Sequence, residues 1–353
     1  MQNPLMHAMT QQLAHDGKPA NVIELTNNHG MRIVLMDIGA TWLSCCLPLS
    51  NSEQREVLLG VDNLTDFYAQ QSYMGVTVGR YANRIANGRF SIDDQVYQVS
   101  INQNGNCLHG GEDGFNQRRW HIVEQNQNSI LFSLVSEDGD QGFPGTLNVT
   151  VRYTLTDNND VTIHYLADTD KITPVNLTNH SYFNLQGATW DGDNRSHTVR
   201  INADDYLPTN SVGIPLDKPQ PVENTSFDFR SGKSLSKNLL ANEQQQQAKG
   251  YDHSFVLNPA RKPDEIIAEV ISPDSMVTMT VKTNKPAVQL YGGNWLAGTP
   301  ARDGKQYQDY AGLALETQFL PDSPNHPEWD QPSCLLKPNE QYSYYTTYTF
   351  DYE

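Results

Sequence analysis

A strict two-residue alternation of apolar and other side chains recurs along this chain and confines its fold more than any other feature. Val149, Val151, Tyr153 and Leu155 fall on one side of an extended segment, with Thr150, Arg152 and Thr154 on the other. Val161, Ile163 and Tyr165 repeat the pattern after the turn Asp157-Asn158-Asn159-Asp160, and Val277, Met279 and Val281 do so again. Tyr342, Tyr344, Thr346, Tyr348 and Phe350 close the chain in the same way. Successive side chains of a strand point to opposite faces, so each run reads as a half-buried strand. Met31-Arg32-Ile33-Val34-Leu35-Met36 is a further buried strand behind the turn Asn27-Asn28-His29-Gly30. Many short strands separated by Asn, Asp and Gly turns predict an all-β sandwich or barrel. Helical patterning is confined to two short stretches, 62–71 and 234–247, with Gln244 to Gln247 read as a solvated helix end or loop. No internal repeat or linker divides the chain. The expectation is a single domain over 1–353, with the polar residues 1–20 as a loose N-terminal arm.

Bulk properties narrow the partners. With 24 Lys+Arg against 41 Asp+Glu the net charge is −17, which argues against nucleic acid and anionic membrane surfaces. No apolar run is long enough to span a bilayer, and residues 1–16 lack the charged-then-apolar layout of a signal peptide. Cys45, Cys46, Cys107 and Cys334 show neither a zinc-ribbon nor a disulfide-framework spacing. Free thiols in a reducing compartment, hence a cytoplasmic protein, are the expectation.

Several polar clusters interrupt the apolar pattern. Glu316 sits among Leu313, Ala314, Leu315, Phe319 and Leu320. A carboxyl there either faces solvent or is buried, and burial would raise its pKa toward the range of a general base. The run Gly79-Arg80-Tyr81-Ala82-Asn83-Arg84-Ile85 offers donors and acceptors suited to a polyhydroxylated ligand, or forms an ordinary surface loop. His109 precedes the pair Gly110-Gly111, where backbone can come close to a ligand. In Asn179-His180-Ser181-Tyr182-Phe183-Asn184-Leu185, strand geometry would place His180, Tyr182 and Asn184 on one face. Asp252, within Tyr251-Asp252-His253, is a hydroxyl acceptor or a turn aspartate. Gln289 interrupts an apolar strand ahead of Tyr291 and Trp295, two rings able to stack on a sugar. The nucleophile-elbow, P-loop, dinucleotide and zinc-protease motifs are all missing from the sequence.

Six of these motifs, in order from about residue 20 to the C-terminus, closely resemble the aldose 1-epimerase family, the galactose mutarotases. They are the 79–85 run, Leu108-His109-Gly110-Gly111, the 179–185 run, Tyr251-Asp252-His253, Gln289-Leu290-Tyr291 and Leu315-Glu316-Thr317-Gln318. The resemblance implies a large antiparallel β-sandwich with a sugar cleft on one sheet face and few short helices. It implies Glu316 as general base and His180 as general acid. It also implies Asn83, Arg84, His109, Tyr182, Asp252 and Gln289 as sugar-holding residues, with Arg80 nearby and less defined. The expected reaction is interconversion of the α and β anomers of free aldohexoses such as galactose and glucose, without metal or organic cofactor. A non-catalytic sugar-binding module, a glycosidase using Asp252 and Glu316, and a sugar-phosphate mutarotase are the alternatives. The last of these calls for extra basic residues at the cleft.

Overall fold

The computed structural model describes residues 4–353. The alternating segments form the strands expected of them. Leu147–Leu155 and Asp160–Thr169 pair antiparallel around a turn in which Asn159 adopts a left-handed φ of 60°, a conformation asparagine tolerates well. The C-terminal strand Tyr342–Tyr352 inserts between Asp160–Thr169 and Val277–Thr283. These three lie at the centre of a nine-stranded antiparallel sheet. One side of it continues through Leu147–Leu155, Ser129–Ser136 and His121–Gln125. The other side continues through Ala268–Ile271, Thr198–Ile201 and Lys233–Ser234.

The inner face of this sheet needs a partner, because every second residue along its strands is apolar. A four-stranded sheet from Val22–Thr26 to Gln54–Glu56 supplies part of it. Its Trp42 ring meets Tyr348, Phe183 and Phe350 at centroid distances of 5.8, 5.9 and 6.5 Å. A five-stranded sheet supplies the rest, in the order Gln220–Pro221, Asp205–Tyr206, Asp252–Val256, Ala287–Tyr291, Ala314–Gln318. Tyr348 donates its hydroxyl hydrogen to the Leu315 carbonyl at 3.0 Å, and the Thr317 and Thr346 hydroxyls meet across the same interface. The result is a β-sandwich with three short α-helices among the described residues. One buried apolar cluster draws on residues from Ile23 to Phe350. No helix among the described residues is long and apolar enough to cross a membrane.

Three expectations need correction. The described part of the N-terminal arm is packed rather than loose. Pro4–Thr10 is a helix with Met9 buried, and Leu5 and Met6 join it in a cluster with Leu64 and Phe67. Gln12 Oε1 accepts from the Thr65 amide at 2.8 Å, and Arg119 bridges Asp16 and Asp37, each at 2.5 Å. Three apolar residues on one side of a short helix are enough to seat it, although the segment's average composition is polar. The first expected helix is Leu64–Ala69, capped by the Asn63 side chain on the Asp66 amide. The second is confined to Glu243–Ala248, because Lys233–Ser234 is taken up as an edge strand. Within that helix Gln245 is buried rather than solvated. It accepts from the Ala241 amide and donates to Ser226 Oγ, both at 3.0 Å.

Arg80 is scaffold. Its guanidinium is buried and donates to the carbonyls of Ser136, Glu137, Pro144 and Gly145 at 2.9 to 3.2 Å. Burial pulls its pKa down to about 10. Replacing it with methionine would keep the stem and leave several buried carbonyls without a donor, each worth about 1–3 kcal/mol. Arg80→Met should therefore lower the urea unfolding midpoint markedly, with total destabilisation of roughly 3 kcal/mol or more. An unchanged midpoint would remove Arg80 from the scaffold.

Candidate functional site

Strand register gathers residues that are far apart in sequence. Gln289 lies opposite Glu316, Ser254 opposite Gln289, and Asp252 opposite Tyr291. Along Ala314–Gln318, Leu315 and Thr317 face the nine-stranded sheet. Alternation therefore turns Glu316 and Gln318 to the opposite side. There Glu316 floors a cleft of about 360 Å³, at the small end of the roughly 300–1,000 Å³ usual for small-molecule sites. The strand's other face is core, and Glu316 as a whole is only 3 % exposed.

Seven of the eight expected site residues line this cleft: Asn83, Arg84, His109, His180, Tyr182, Asp252 and Glu316. Gln289 does not. It lies behind Asp252 and donates from Nε2 to Asp252 Oδ1 at 2.7 Å. The stretch 175–185, which contains the 179–185 run, is also less regular than its alternation suggests, with only Thr178–Asn179 forming a named strand. Its asparagines bond to neighbouring backbone instead. Asn176 donates to the Ala82 carbonyl, Asn179 to Gly75 and Asn184 to Ala311. His180 and Tyr182 still reach the cleft together, whereas Asn184 is a buried staple.

His180 Nε2 stands 3.5 Å from Glu316 Oε1. Glu316 Oε2 and His180 Nδ1 are buried without a protein partner. Burial, reinforced by the nearby Asp252 carboxylate and opposed by Arg84, raises the Glu316 pKa to about 8. Burial lowers that of His180 to about 4. Near neutral pH the pair thus holds one proton, on the carboxyl beside a neutral imidazole. The 3.5 Å contact then lies between neutral groups and is not an ion pair. His109 is likewise kept neutral by burial and by neighbouring His180 and Arg84. Its ring crosses that of His180 nearly perpendicularly, with centroids 5.3 Å apart.

His109, His180 and Glu316 bring ligand-type atoms within 4.8 Å of one another, which invites a metal reading. The donor set does not fit one. His109 Nδ1 accepts from the Asn83 amide at 3.0 Å, which leaves the ring proton on Nε2. His109 therefore presents a hydrogen-bond donor to the cleft, where a cation needs a lone pair.

Two parts of the wall escape sequence reasoning. Tyr73 holds a left-handed φ of 57° and sets its ring against His109 at 4.6 Å and His180 at 6.0 Å. An isolated tyrosine after a short helix carries no signal of this. The loop 209–213 reads as an ordinary turn, and locally it is one, with Asn210 Oδ1 accepting from the amides of Val212 and Ile214. It closes over Arg84, whose Nε donates to Gln103 at 3.1 Å. Trp295, 59 % exposed, stands at the rim with Lys249 Nζ 4.2 Å above its ring.

Comparison with known proteins identifies the family. The family model for aldose 1-epimerase matches residues 21–349. The chain belongs to the aldose 1-epimerase family. It is 50 % identical to the aldose 1-epimerase of Escherichia coli K12 over 341 residues, 97 % of this chain and 98 % of that one. It is 38 % identical to human galactose mutarotase over 321 residues, 91 % of each chain. The fold overlays on galactose 1-epimerase from Lactobacillus acidophilus with a TM-score of 0.83 at 28 % identity, covering 97 % of both chains. An aldose epimerase homologue from C. elegans gives 0.85 at 29 % identity, covering 94 % of this chain and 99 % of that one. The activity is that of an aldose 1-epimerase, the interconversion of α and β anomers at C1.

The 209–213 loop also approaches the Arg84 side chain closely. Gly213 has φ +77°, and a Cβ there would lie 2.6 Å from an Arg84 guanidinium nitrogen. The long arginine side chain would yield before the backbone does. Gly213→Ala should raise KM for the aldose several-fold while changing kcat little, read by polarimetry. An unchanged KM would show that Arg84 keeps its place without this close approach.

Proposed function

We propose that this chain acts on free aldohexoses, galactose and glucose among them, with Glu316 as general base and His180 as general acid. Asn83, Arg84, His109, Tyr182 and Asp252 hold the ring, with Gln289 acting through Asp252. The observation that carries this reading is the buried Glu316–His180 contact, two groups of opposite chemistry sharing one proton at the floor of the cleft. Ring opening removes the proton of the C1 hydroxyl and delivers one to the ring oxygen. Both oxygens are bonded to C1, so a base and an acid lining the same small cleft can reach both, and the 3.5 Å separation of Glu316 and His180 supports such a pairing. Moving the shared proton from carboxyl to imidazole across that contact gives the reactive form, a carboxylate beside an imidazolium. Glu316 then takes the hydroxyl proton as His180 protonates the ring oxygen. Rotation about C1–C2 exposes the other carbonyl face, and closure runs the transfers in reverse. Each group is worth roughly 10²–10⁴-fold, and fixed placement of the sugar adds to that.

Arg84 is the one Arg or Lys among the described lining residues, set against the acids Asp252 and Glu316. That balance supports an uncharged sugar over a phosphorylated one. The net charge of −17 supports the absence of a nucleic-acid partner, and four unpaired thiols support a cytoplasmic setting.

Freshly dissolved α-galactose and α-glucose should reach their final optical rotation faster with the protein than without it. Glu316→Gln should cost roughly 10²–10⁴-fold in turnover while sugar still binds in a titration. Near-normal turnover would sink the assignment of the base. The pH profile provides a second check. The singly protonated pair is the competent one, so kcat/KM should fall below about pH 4 as His180 gains a second proton for the pair, and above about pH 8 as Glu316 loses the last one. Asp252 helps to hold the Glu316 pKa up, so Asp252→Asn should move the alkaline limb to lower pH. A limb that stays put would exclude that coupling.

A further inference from the structure

Behind the sugar-facing residues, the same sheet face carries a row of buried polar groups with no role in the acid–base pair. Ser254, Gln289 and Gln318 are each 3 % exposed or less. Ser254 lies opposite Gln289 across one pair of strands, and Gln318 is two residues beyond Glu316 on the same face. The Ser254 hydroxyl donates to Gln289 Oε1. Gln318 Nε2 is 3.3 Å from both Gln289 Oε1 and Ser254 Oγ and donates to them. The Gln289 carbonyl is thus engaged by two donors from behind. Its amide nitrogen has only one direction left, forward onto Asp252 Oδ1 at 2.7 Å. A glutamine amide flipped end for end would set its oxygen against the Asp252 carboxylate and its NH₂ against the Gln318 NH₂.

We propose that Ser254 and Gln318 are positioning residues of the sugar site: they lock the Gln289 amide in one orientation and through it hold the Asp252 carboxylate against the substrate. This rests on the reading of Asp252 as a sugar-holding residue. Neither Ser254 nor Gln318 lines the cleft, so both act only through the residues in front of them. Asp252 contacts the sugar before and during ring opening, so loosening it removes binding common to ground and transition states. Such a loss appears in KM and leaves kcat largely intact.

The test is a double-mutant cycle read by polarimetry, with melting temperature measured on every variant. Ser254→Ala should raise KM about tenfold, the scale of one buried hydrogen bond, with kcat little changed. Gln289→Ala should do the same, and the combination Ser254→Ala with Gln289→Ala should be no worse than Gln289→Ala alone, because Ser254 then has nothing to act on. Gln318→Met, close in shape and lacking the donor, gives the same KM readout should Ser254→Ala fail to fold. A normal KM in the folded variant, effects of Ser254 and Gln289 that multiply, or a fall in kcat alone would each overturn the positioning role. Wild-type protein and Glu316→Gln are run alongside. If wild type accelerates mutarotation and Glu316→Gln does not, a failure belongs to the positioning role by itself. Retained turnover in Glu316→Gln overturns the acid–base reading and the role built on it.

Discussion

The proposed chemistry of this protein depends on withholding water from a single carboxyl group. Glu316 lies on a strand whose other face is packed into the sandwich, and its own face is closed by His180, Tyr182 and Tyr291. Burial penalises the carboxylate and the imidazolium alike. The two shifts run in opposite directions on the pKa scale but have one cause, and together they leave a pair that holds one proton over a broad pH range. A solvent-exposed pair would hold its single proton only between the ordinary glutamate and histidine pKa values, about 4.3 and 6.5, and on the imidazole rather than the carboxyl. The cost of the arrangement is an unsatisfied buried oxygen, Glu316 Oε2, which a bound hydroxyl can satisfy.

Holding that geometry falls to the five-stranded sheet. Ser254, Gln289 and Glu316 come from strands separated by more than twenty residues of intervening chain, yet register sets them side by side. A slip of one residue would send Glu316 into the apolar core and Thr317 to the cleft. The Tyr348 hydroxyl on the Leu315 carbonyl, with the Thr317–Thr346 contact, pins the strand to the larger sheet. The same contacts that build the core therefore aim the carboxyl.

Polar residues in the recognisable motifs divide into two groups that look alike in sequence. Arg84 and Asn83 face the cleft, while Arg80, four residues earlier, bonds four backbone carbonyls in the interior. His180 and Tyr182 face the cleft, while Asn176, Asn179 and Asn184 staple neighbouring chain segments. A sandwich whose segments leave regular pairing must satisfy those backbone groups by other means, and asparagine, with one donor and one acceptor on a short arm, does so economically. The scaffold thus uses the same residue types that recognise a sugar.

The sequence by itself determined the alternating strands, since apolar alternation is a local property, and its motifs carried the resemblance to the aldose 1-epimerase family to which the chain belongs. All eight expected site residues were named through the resemblance to the family, and seven of them line the cleft. What it could not show depends on contacts between distant segments. Tyr73 and the 209–213 loop become wall only when the chain closes over them. Gln289 steps back behind Asp252 because Ser254 and Gln318 hold its carbonyl. The N-terminal segment finds its place because α-helical Met9 meets Leu64 and Phe67. The proton's location was likewise a tertiary decision: a histidine and a glutamate have ordinary pKa values in an unfolded chain, and only their shared burial reverses the order in which they titrate.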